Sequence, residues 1–459
     1  MKRNDNIYFC IIYLLLINGL RCDKNILNLF SKRGVKIIVV GAGVSGISTA
    51  YNLRKSGLNV LLLEARNRPG GRVKTESYSF GYPIDHGAVW VDFTRKGNPF
   101  KKYMKIFRTE VVPVNPLNSI GFNRDSIKYP NFQEEIDSTL KGFVDFLDSP
   151  RVPNKASASY FIEMYTQIAN LKKNKISLLK DYLKLLTYKK YYRREDKKLF
   201  KKFILDYVSF AHRKGYYMLP KGYMDFFSNF LKKLRVKYNT NIKSITQRNN
   251  LITLRDTKGN NYKADIVVVT VPLGILKKNY IKFRPRLSLE KTRIIQSIPL
   301  LKINKVFVEF EEKFWGDQFL IYLQDTEAPV YMGINFHKIN NKNMLIFIVN
   351  DTVDYNLSSI PLRTVRNYIK RKLSECYPGK NIKITKVVKT SWDRAKFTQG
   401  SYTDSSKIED LSYVKAFRKP EGNIFFAGEH TAIRSASTQG AWLSGEVTAK
   451  NILKTLRHK

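Results

Sequence analysis

Hydrophobic and polar positions along the chain follow two periods. Residues 35–40, VKIIVV, form a short apolar run that meets Gly41, with the length and β-branched content of a buried strand. Behind it Ile47, Ala50, Tyr51 and Leu53 recur at helical spacing and stop before Gly57, a natural C-terminal cap. A second apolar strand covers Asn59–Leu63 and ends in Glu64. Residues 303–310, INKVFVEF, read as another strand. Alternation puts Ile303, Lys305, Phe307 and Glu309 on one face and Asn304, Val306, Val308 and Phe310 on the other. Both faces are largely apolar, which predicts a strand covered on both sides. A lysine is costly there unless it is paired or used, so Lys305 is a candidate functional residue. The alternatives are snorkelling from a strand edge or pairing with Glu309. Runs at Phe319–Leu323 and Met344–Val349 predict companion strands, and residues 101–225 read as helical and lysine-rich.

Between the first two strands lies Gly41-Ala42-Gly43-Val44-Ser45-Gly46. Strand, GxGxxG, helix, strand and acid together make a dinucleotide-binding unit. Gly41 permits the tight turn, Gly43 lets a pyrophosphate approach the helix N-terminus, and Gly46 allows close helix-to-strand packing. Glu64 is placed to accept both ribose hydroxyls. The context is specific; the motif alone is not.

Composition narrows the class further. The chain has 459 residues, 43% of them hydrophobic and 13% aromatic, enough for two or three globular domains and unlike a disordered chain. Lys2 and Arg3 precede the apolar run Ile7–Ile17, followed by Asn18 and Gly19, which is the plan of a secretory signal peptide over residues 1–22; an uncleaved signal anchor is the alternative. No other segment reaches transmembrane length. The cysteines are Cys10, Cys22 and Cys376, so at most one disulfide survives signal removal. Asn350-Asp351-Thr352 and Asn356-Leu357-Ser358 are glycosylation acceptors in a secreted protein. No His/Cys cluster has metal-ligand spacing. The net charge of +43 favours non-specific contact with anionic surfaces. Its lysines are spread along the chain without nucleic-acid-binding boxes, so no specific nucleic-acid partner is expected, and a solvated basic surface explains the charge equally well.

The residues after Glu64 separate the nucleotides. Ala65-Arg66-Asn67-Arg68-Pro69-Gly70-Gly71-Arg72, then Asp85-His86-Gly87-Ala88-Val89-Trp90, resemble the flavin-containing amine oxidase family. So do Ala264–Gly274, Trp392 with Gly400-Ser401-Tyr402, Ile424–Thr431 with Gly428 and Glu429, and the C-terminal Gly440-Ala441-Trp442-Leu443-Ser444-Gly445. The blocks run in the family's order over about residues 34–455, and within the family the chain looks most like secreted polyamine oxidases. The resemblance implies an α/β fold: a Rossmann-like FAD-binding domain from segments 34–100, 236–289 and 386–459, and a mixed α+β substrate-binding domain from 101–235 and 290–385.

The same resemblance implies the roles. FAD, held non-covalently, contacts Gly41, Gly43, Ser45, Gly46, Glu64, Ala65, Arg66, Gly71, Arg72, Gly87, Ala88, Val89, Trp90, Trp392, Gly428, Glu429 and Thr438. Ile242 matches a β-branched residue whose backbone meets adenine. Lys305 matches the lysine of an NK-x-(L/V)-x-F strand that binds flavin N5 through a water. The helix starting near Thr438 aims its positive end at the flavin N1/C2 carbonyl. A small-molecule amine and O2 are the implied reactants. Tyr402 matches one wall of an amine cage with Trp90 nearby; the opposite wall falls on Ser437, in a slightly shortened loop. Val89 stands where vertebrate-type enzymes keep a histidine, and Asp92 where plant-type enzymes keep an acid, so Asp92 is a candidate anchor for a distal ammonium. An L-amino-acid oxidase of the same fold is the alternative enzyme, requiring an arginine clamp for carboxylate. An inactive, cationic surface-binding flavoprotein is the alternative outside catalysis. The signal peptide argues against a chromatin demethylase.

Overall fold

The computed structural model describes residues 34–457 apart from 95–96, 123–125, 127, 188–193, 199, 202–203, 206–214, 324–330, 351–355 and 405–410. The signal-peptide residues, Cys10, Cys22 and the acceptor at Asn350-Asp351-Thr352 therefore lie wholly or partly outside it. The chain forms two compact units: Met1–Gly71, Phe227–Pro299 and Thr403–Lys459 make one, and Arg72–Phe226 with Leu300–Tyr402 the other. These bounds differ from the expected 100/101, 235/236, 289/290 and 385/386. Residues 72–92 fall in the second unit because their partners are there: His86 stacks on Phe307 at 4.8 Å, and the Trp392 indole donates to the His86 carbonyl at 3.1 Å.

In the first unit a five-stranded parallel sheet runs in the order Arg235–Lys237, Asn59–Leu63, Lys36–Val40, Ile266–Val269, Ile424–Phe426. Beyond the exposed Lys36 and Asn59 that open them, its central strands are apolar, as strands covered on both faces must be. Helix Val44–Lys55 follows the first strand directly, and Gly57 stands beyond its end at φ +84°. The C-terminal helix Thr438–Arg457 packs beside it. A Cβ on Gly445 would stand 2.5 Å from the Ser45 carbonyl, so the two helices approach backbone to backbone. Ser48 Oγ ties them further by donating to the Trp442 carbonyl at 2.7 Å. A separate four-stranded sheet, in the order Asn261–Ala264, Leu251–Asp256, Ile242–Arg248, Lys282–Arg284, completes this unit's strand framework.

In the second unit the strand Ile303–Phe310 is observed with its predicted bounds. It lies inside a seven-stranded sheet between Ile384–Lys389 and Met344–Asn350, antiparallel to both. It is not an edge strand, and both its faces are largely buried. Helices Phe132–Leu147, Ala158–Ile168 and Lys173–Thr187 account for the lysine-rich helical region. Cys376 is buried within an apolar cluster of this unit.

Candidate active site

The first unit contains a turn shaped for a nucleotide. Gly41 adopts φ +107°, and its N–H donates to the Leu63 carbonyl at 2.7 Å. A Cβ on Gly46 would lie 1.9 Å from the Gly41 carbonyl, so only glycine lets the helix start this close to the strand. By contrast a Cβ on Gly43 would meet nothing within 4 Å. Gly43 caps the helix in an extended conformation and without a side-chain bond, so the approach to the first-turn N–H groups is open. Such a helix start suits an anion. Ser45, buried, lies in this first turn and accepts from Thr49 Oγ1 at 2.8 Å.

Glu64 directly follows the second strand, with 4% of its surface exposed. Its Oε2 accepts from Ala42 N–H at 2.8 Å and its Oε1 from Arg66 N–H at 2.9 Å. Each oxygen retains lone-pair capacity beyond these bonds, and the two anchors fix the carboxylate beside the glycine turn. The backbone on its other flank is tied to 237–240: Glu64 N–H donates to the Lys237 carbonyl at 2.9 Å and Thr240 N–H to the Glu64 carbonyl at 2.8 Å. Ile242 opens the strand just beyond, buried. Ala65 and Arg66 are half-buried after the acid, and Gly71 stands at φ +61°.

At the C-terminal end Gly428 N–H donates to Ser444 Oγ at 3.0 Å. Glu429 is buried, and its Oε2 accepts from Thr403 Oγ1 at 2.6 Å and Ala436 N–H at 3.0 Å. Thr438 begins the C-terminal helix. Ser437 Oγ accepts from Gly440 N–H at 3.0 Å and donates to the Arg434 carbonyl at 2.8 Å. The residue expected as a cage wall thus caps this helix start. His430 is buried with its ring 5.0 Å from Phe417.

The second unit holds the lysine. Lys305 is 7% exposed. Its Nζ donates to the Asp85 carbonyl at 3.2 Å and to the Gly87 carbonyl. Glu309, the alternative partner, instead accepts from Tyr82 OH at 2.7 Å and Thr385 Oγ1 at 3.3 Å. Burial holds the Lys305 ammonium down to about 7, against the opposing pull of the Asp85 carboxylate. Burial pushes Asp85 up to about 6, although a Thr75 hydroxyl, the Tyr223 N–H and Lys305 all favour its charge. Beside them burial and Lys74 bring His86 down to about 4, with its Nε2 2.5 Å from Glu76 Oε1. The motif around Gly87 contains Asp85 and His86, but only the fold brings these two to Lys305 and Glu76 to His86.

The remaining expected residues surround this centre or lie further along the same loops. Gly87 is pressed on the chain before it, since a Cβ there would fall 1.6 Å from the Arg72 carbonyl, and Ala88 N–H donates to that carbonyl at 3.3 Å. Arg72 Nη1 reaches the Ser401 carbonyl at 2.9 Å. Val89 is buried; Trp90 is half-buried, its ring 6.2 Å from Tyr216 and its carbonyl accepting from Tyr223 OH at 2.7 Å. Trp392 N–H donates to Asn304 Oδ1 at 2.9 Å, one residue from Lys305. Tyr402 is half-buried and follows Ser401, whose hydroxyl accepts from Ile303 N–H at 2.8 Å. Asp92 Oδ1 accepts from Thr94 N–H at 2.8 Å and Thr94 Oγ1 at 2.5 Å, so it closes a local turn.

The open glycine at a helix start, with an oriented buried carboxylate at the end of the next strand, fits the phosphates and ribose of a dinucleotide. Comparison with known proteins agrees. The family described as flavin containing amine oxidoreductase matches residues 44–453. The chain is 25% identical over 440 residues to probable polyamine oxidase 4 of Arabidopsis thaliana, covering 90% of this chain and 86% of that protein. It is 26% identical over 432 residues to polyamine oxidase 3 of Oryza sativa subsp. japonica, covering 90% and 88%. Against polyamine oxidase 1 of Zea mays it is 24% identical over 480 residues, covering 93% and 92%. With the family spanning nearly the whole chain, both compact units belong to one enzyme: the protein is a member of the flavin-containing amine oxidoreductase family, an FAD-dependent amine oxidase.

Proposed function

We propose that this amine oxidase acts on polyamines of the spermine and spermidine type. The observation that carries the reading is Lys305, an ammonium-bearing side chain buried on a central strand, in a chain whose relatives over about nine-tenths of its length are named polyamine oxidases. The overall change takes a secondary amine, O2 and water to an aldehyde, the shorter primary amine and hydrogen peroxide. The bond cleaved joins the amine nitrogen to the carbon that becomes the aldehyde. FAD, held at the Gly43 turn, Glu64 and Ile242, would supply the hydride acceptor for that carbon and the electron carrier to O2.

The protein's own residues bind, orient and manage protons. In the proposed Rossmann-like unit the open turn at Gly43 takes the pyrophosphate, Glu64 the ribose hydroxyls and the Ile242 backbone the adenine. FAD is held without a covalent bond, as no cysteine stands in an attachment motif of the family; Cys376, the cysteine among the described residues, is buried in an apolar cluster. Lys305 Nζ holds or yields a proton near neutral pH, because burial has lowered its affinity for it. Tyr402 and Trp90 supply apolar walls for the amine, Asp92 receives a distal ammonium, and Ser437 keeps the shortened loop in place through the helix cap. The protein is secreted after loss of residues 1–22. Among the described residues no helix is long and apolar enough to cross a membrane.

Peroxide release by the purified FAD-loaded protein tests the reading against spermine, spermidine, their acetylated forms and L-amino acids. Turnover of one or more polyamines, with none of the amino acids, is expected. Turnover of amino acids alone would replace the reading with the amino-acid oxidase alternative.

A further inference from the structure

The four-stranded sheet of the first unit has two chemically opposite faces. Its register aligns Lys263, Thr253, Thr246 and Arg284 in one row across the strands. The next row on that face is Asn261, Arg255, Ser244 and Lys282. Arg248, paired with Leu251, extends the face at one end. The intervening row, Tyr262, Leu254, Ile245 and Phe283, points the other way, with Leu254 and Ile245 fully buried. Lys263, Arg284, Arg255, Lys282 and Arg248 are all exposed. No carboxylate stands in either row, and the side chains between the cations are hydroxyls and an amide.

Neighbouring strands lie roughly 5 Å apart and alternate residues along a strand roughly 7 Å apart, so Lys282 and Arg284 stand roughly 7 Å apart, Arg255 and Lys282 roughly 10 Å, and Lys263 and Arg284 roughly 15 Å. The face thus intersperses positive charge with hydrogen-bonding groups. The two aromatic rings of the intervening row, Tyr262 and Phe283, are on the opposite face, where Lys237 Nζ covers Tyr262 at 5.0 Å. Base stacking, the usual partner of phosphate contacts in single-stranded nucleic-acid grooves, therefore has no platform in these rows. Leu251, 45% exposed, is the one apolar side chain among these paired positions on the face, too little for insertion into a bilayer. Charge complementarity together with interspersed hydroxyl and amide groups matches a polymer of sulfated or carboxylated sugars.

We propose that this sheet face is a docking surface for an acidic polysaccharide. It would hold the enzyme on such a polymer, and it is independent of which amine is oxidised. The overall charge of +43 makes weak polyanion binding expected anywhere on the protein, so the test must separate this face from charge in general. Two variants of the FAD-loaded full chain carry the same number of Gln substitutions. One replaces Lys263, Arg284, Arg255, Lys282 and Arg248. The other replaces the exposed Lys101, Lys102, Lys105, Arg363 and Lys370, on helices elsewhere. Both are titrated with a sulfated heparin-type oligosaccharide, with duplex DNA and with phosphatidylserine vesicles. Circular dichroism and flavin absorbance verify folding; a face variant that fails to fold is replaced by the pairs Lys263→Gln/Arg284→Gln and Arg255→Gln/Lys282→Gln. The expected result is at least a tenfold loss of oligosaccharide affinity for the face variant and less than twofold for the control. Equal losses in the two variants would overturn the proposal, as would wild-type binding to DNA or vesicles without binding to the oligosaccharide.

Discussion

Lys305 and Asp85 are buried together: the lysine Nζ donates to the backbone carbonyl of Asp85 at 3.2 Å, and the aspartate's charge acts on the lysine. The carboxyl group itself accepts from Thr75 Oγ1 and from the Tyr223 N–H at 3.1 Å. Both groups are buried, so burial sets the direction of each shift and the partner's charge opposes it. The pair answers why a strand covered on both faces carries a lysine: its ammonium is received by the carbonyls of a neighbouring loop and balanced by that loop's acid.

Replacing Lys305 by Met keeps the volume and removes the ammonium. FAD binding is expected to persist, while stopped-flow measurement shows either flavin reduction or re-oxidation slowed at least tenfold, about 1.4 kcal/mol of barrier. Unchanged rates in both half-reactions would reduce Lys305 to a packing residue.

Asp85→Asn retains an acceptor for the Tyr223 N–H but withdraws the charge that supports Lys305. Lys305 should then lose its proton at still lower pH, moving the corresponding limb of the kcat/KM profile in the acid direction. Breaking a buried pair from one side costs about 3 kcal/mol, readable by denaturant unfolding. In the Lys305→Met background the same substitution should no longer move the limb.

The two shifts also give opposite pH slopes for stability. For Lys305, lowered on folding to about 7, the unfolded chain binds the extra proton above that pH, so stability rises with pH there and this contribution is absent below. For Asp85, raised to about 6, the contribution present at low pH is lost as pH rises through that value. Their sum is lowest between about pH 6 and 7. Thermal unfolding across pH should show a dip in the wild type relative to the double variant Asp85→Asn/Lys305→Met; a flat difference curve would contradict the linked burial.

Glu64→Ala removes the acceptor of two N–H groups and the proposed ribose contact. The FAD dissociation constant, followed by flavin fluorescence, should rise about a hundredfold, roughly 2.8 kcal/mol. Gly46→Ala should be harsher, because its Cβ would overlap the Gly41 carbonyl, and recovery of normal FAD binding there would refute the shape argument for the turn.

A polycationic substrate meets a protein of +43, so long-range repulsion opposes its encounter. Salt screens such forces over about 10 Å at 0.1 M, and kcat/KM for spermine should hold or rise with moderate salt. Asp92→Asn should raise KM for long polyamines more than for short monoamines. A steep fall with salt, with no effect at Asp92 beyond loosening its turn with Thr94, would point to an anionic substrate.

The sequence by itself determined those features whose causes are local or periodic. The strand, glycine turn, helix, strand and acid from residue 36 to Glu64 lie within one short stretch, where glycine sterics and apolar spacing act between near neighbours. The strand Ile303–Phe310 was legible with its bounds because two covered faces leave a nearly continuous apolar run, and its lysine stood out for the same reason. The Gly87 motif pointed to a loop but could not say what its carbonyls would hold, since Asp85 and Lys305 are separated by 220 residues. The capping of the C-terminal helix by Ser437 and the turn closed by Asp92 depend on backbone conformation that residue identity leaves open. Likewise Lys263, Arg255 and Lys282 are scattered basic residues until strand register aligns them on one face. Local sterics and hydrophobic period are written along the chain; which distant groups share a buried charge, or a surface, is decided only when strands pair and loops close over them.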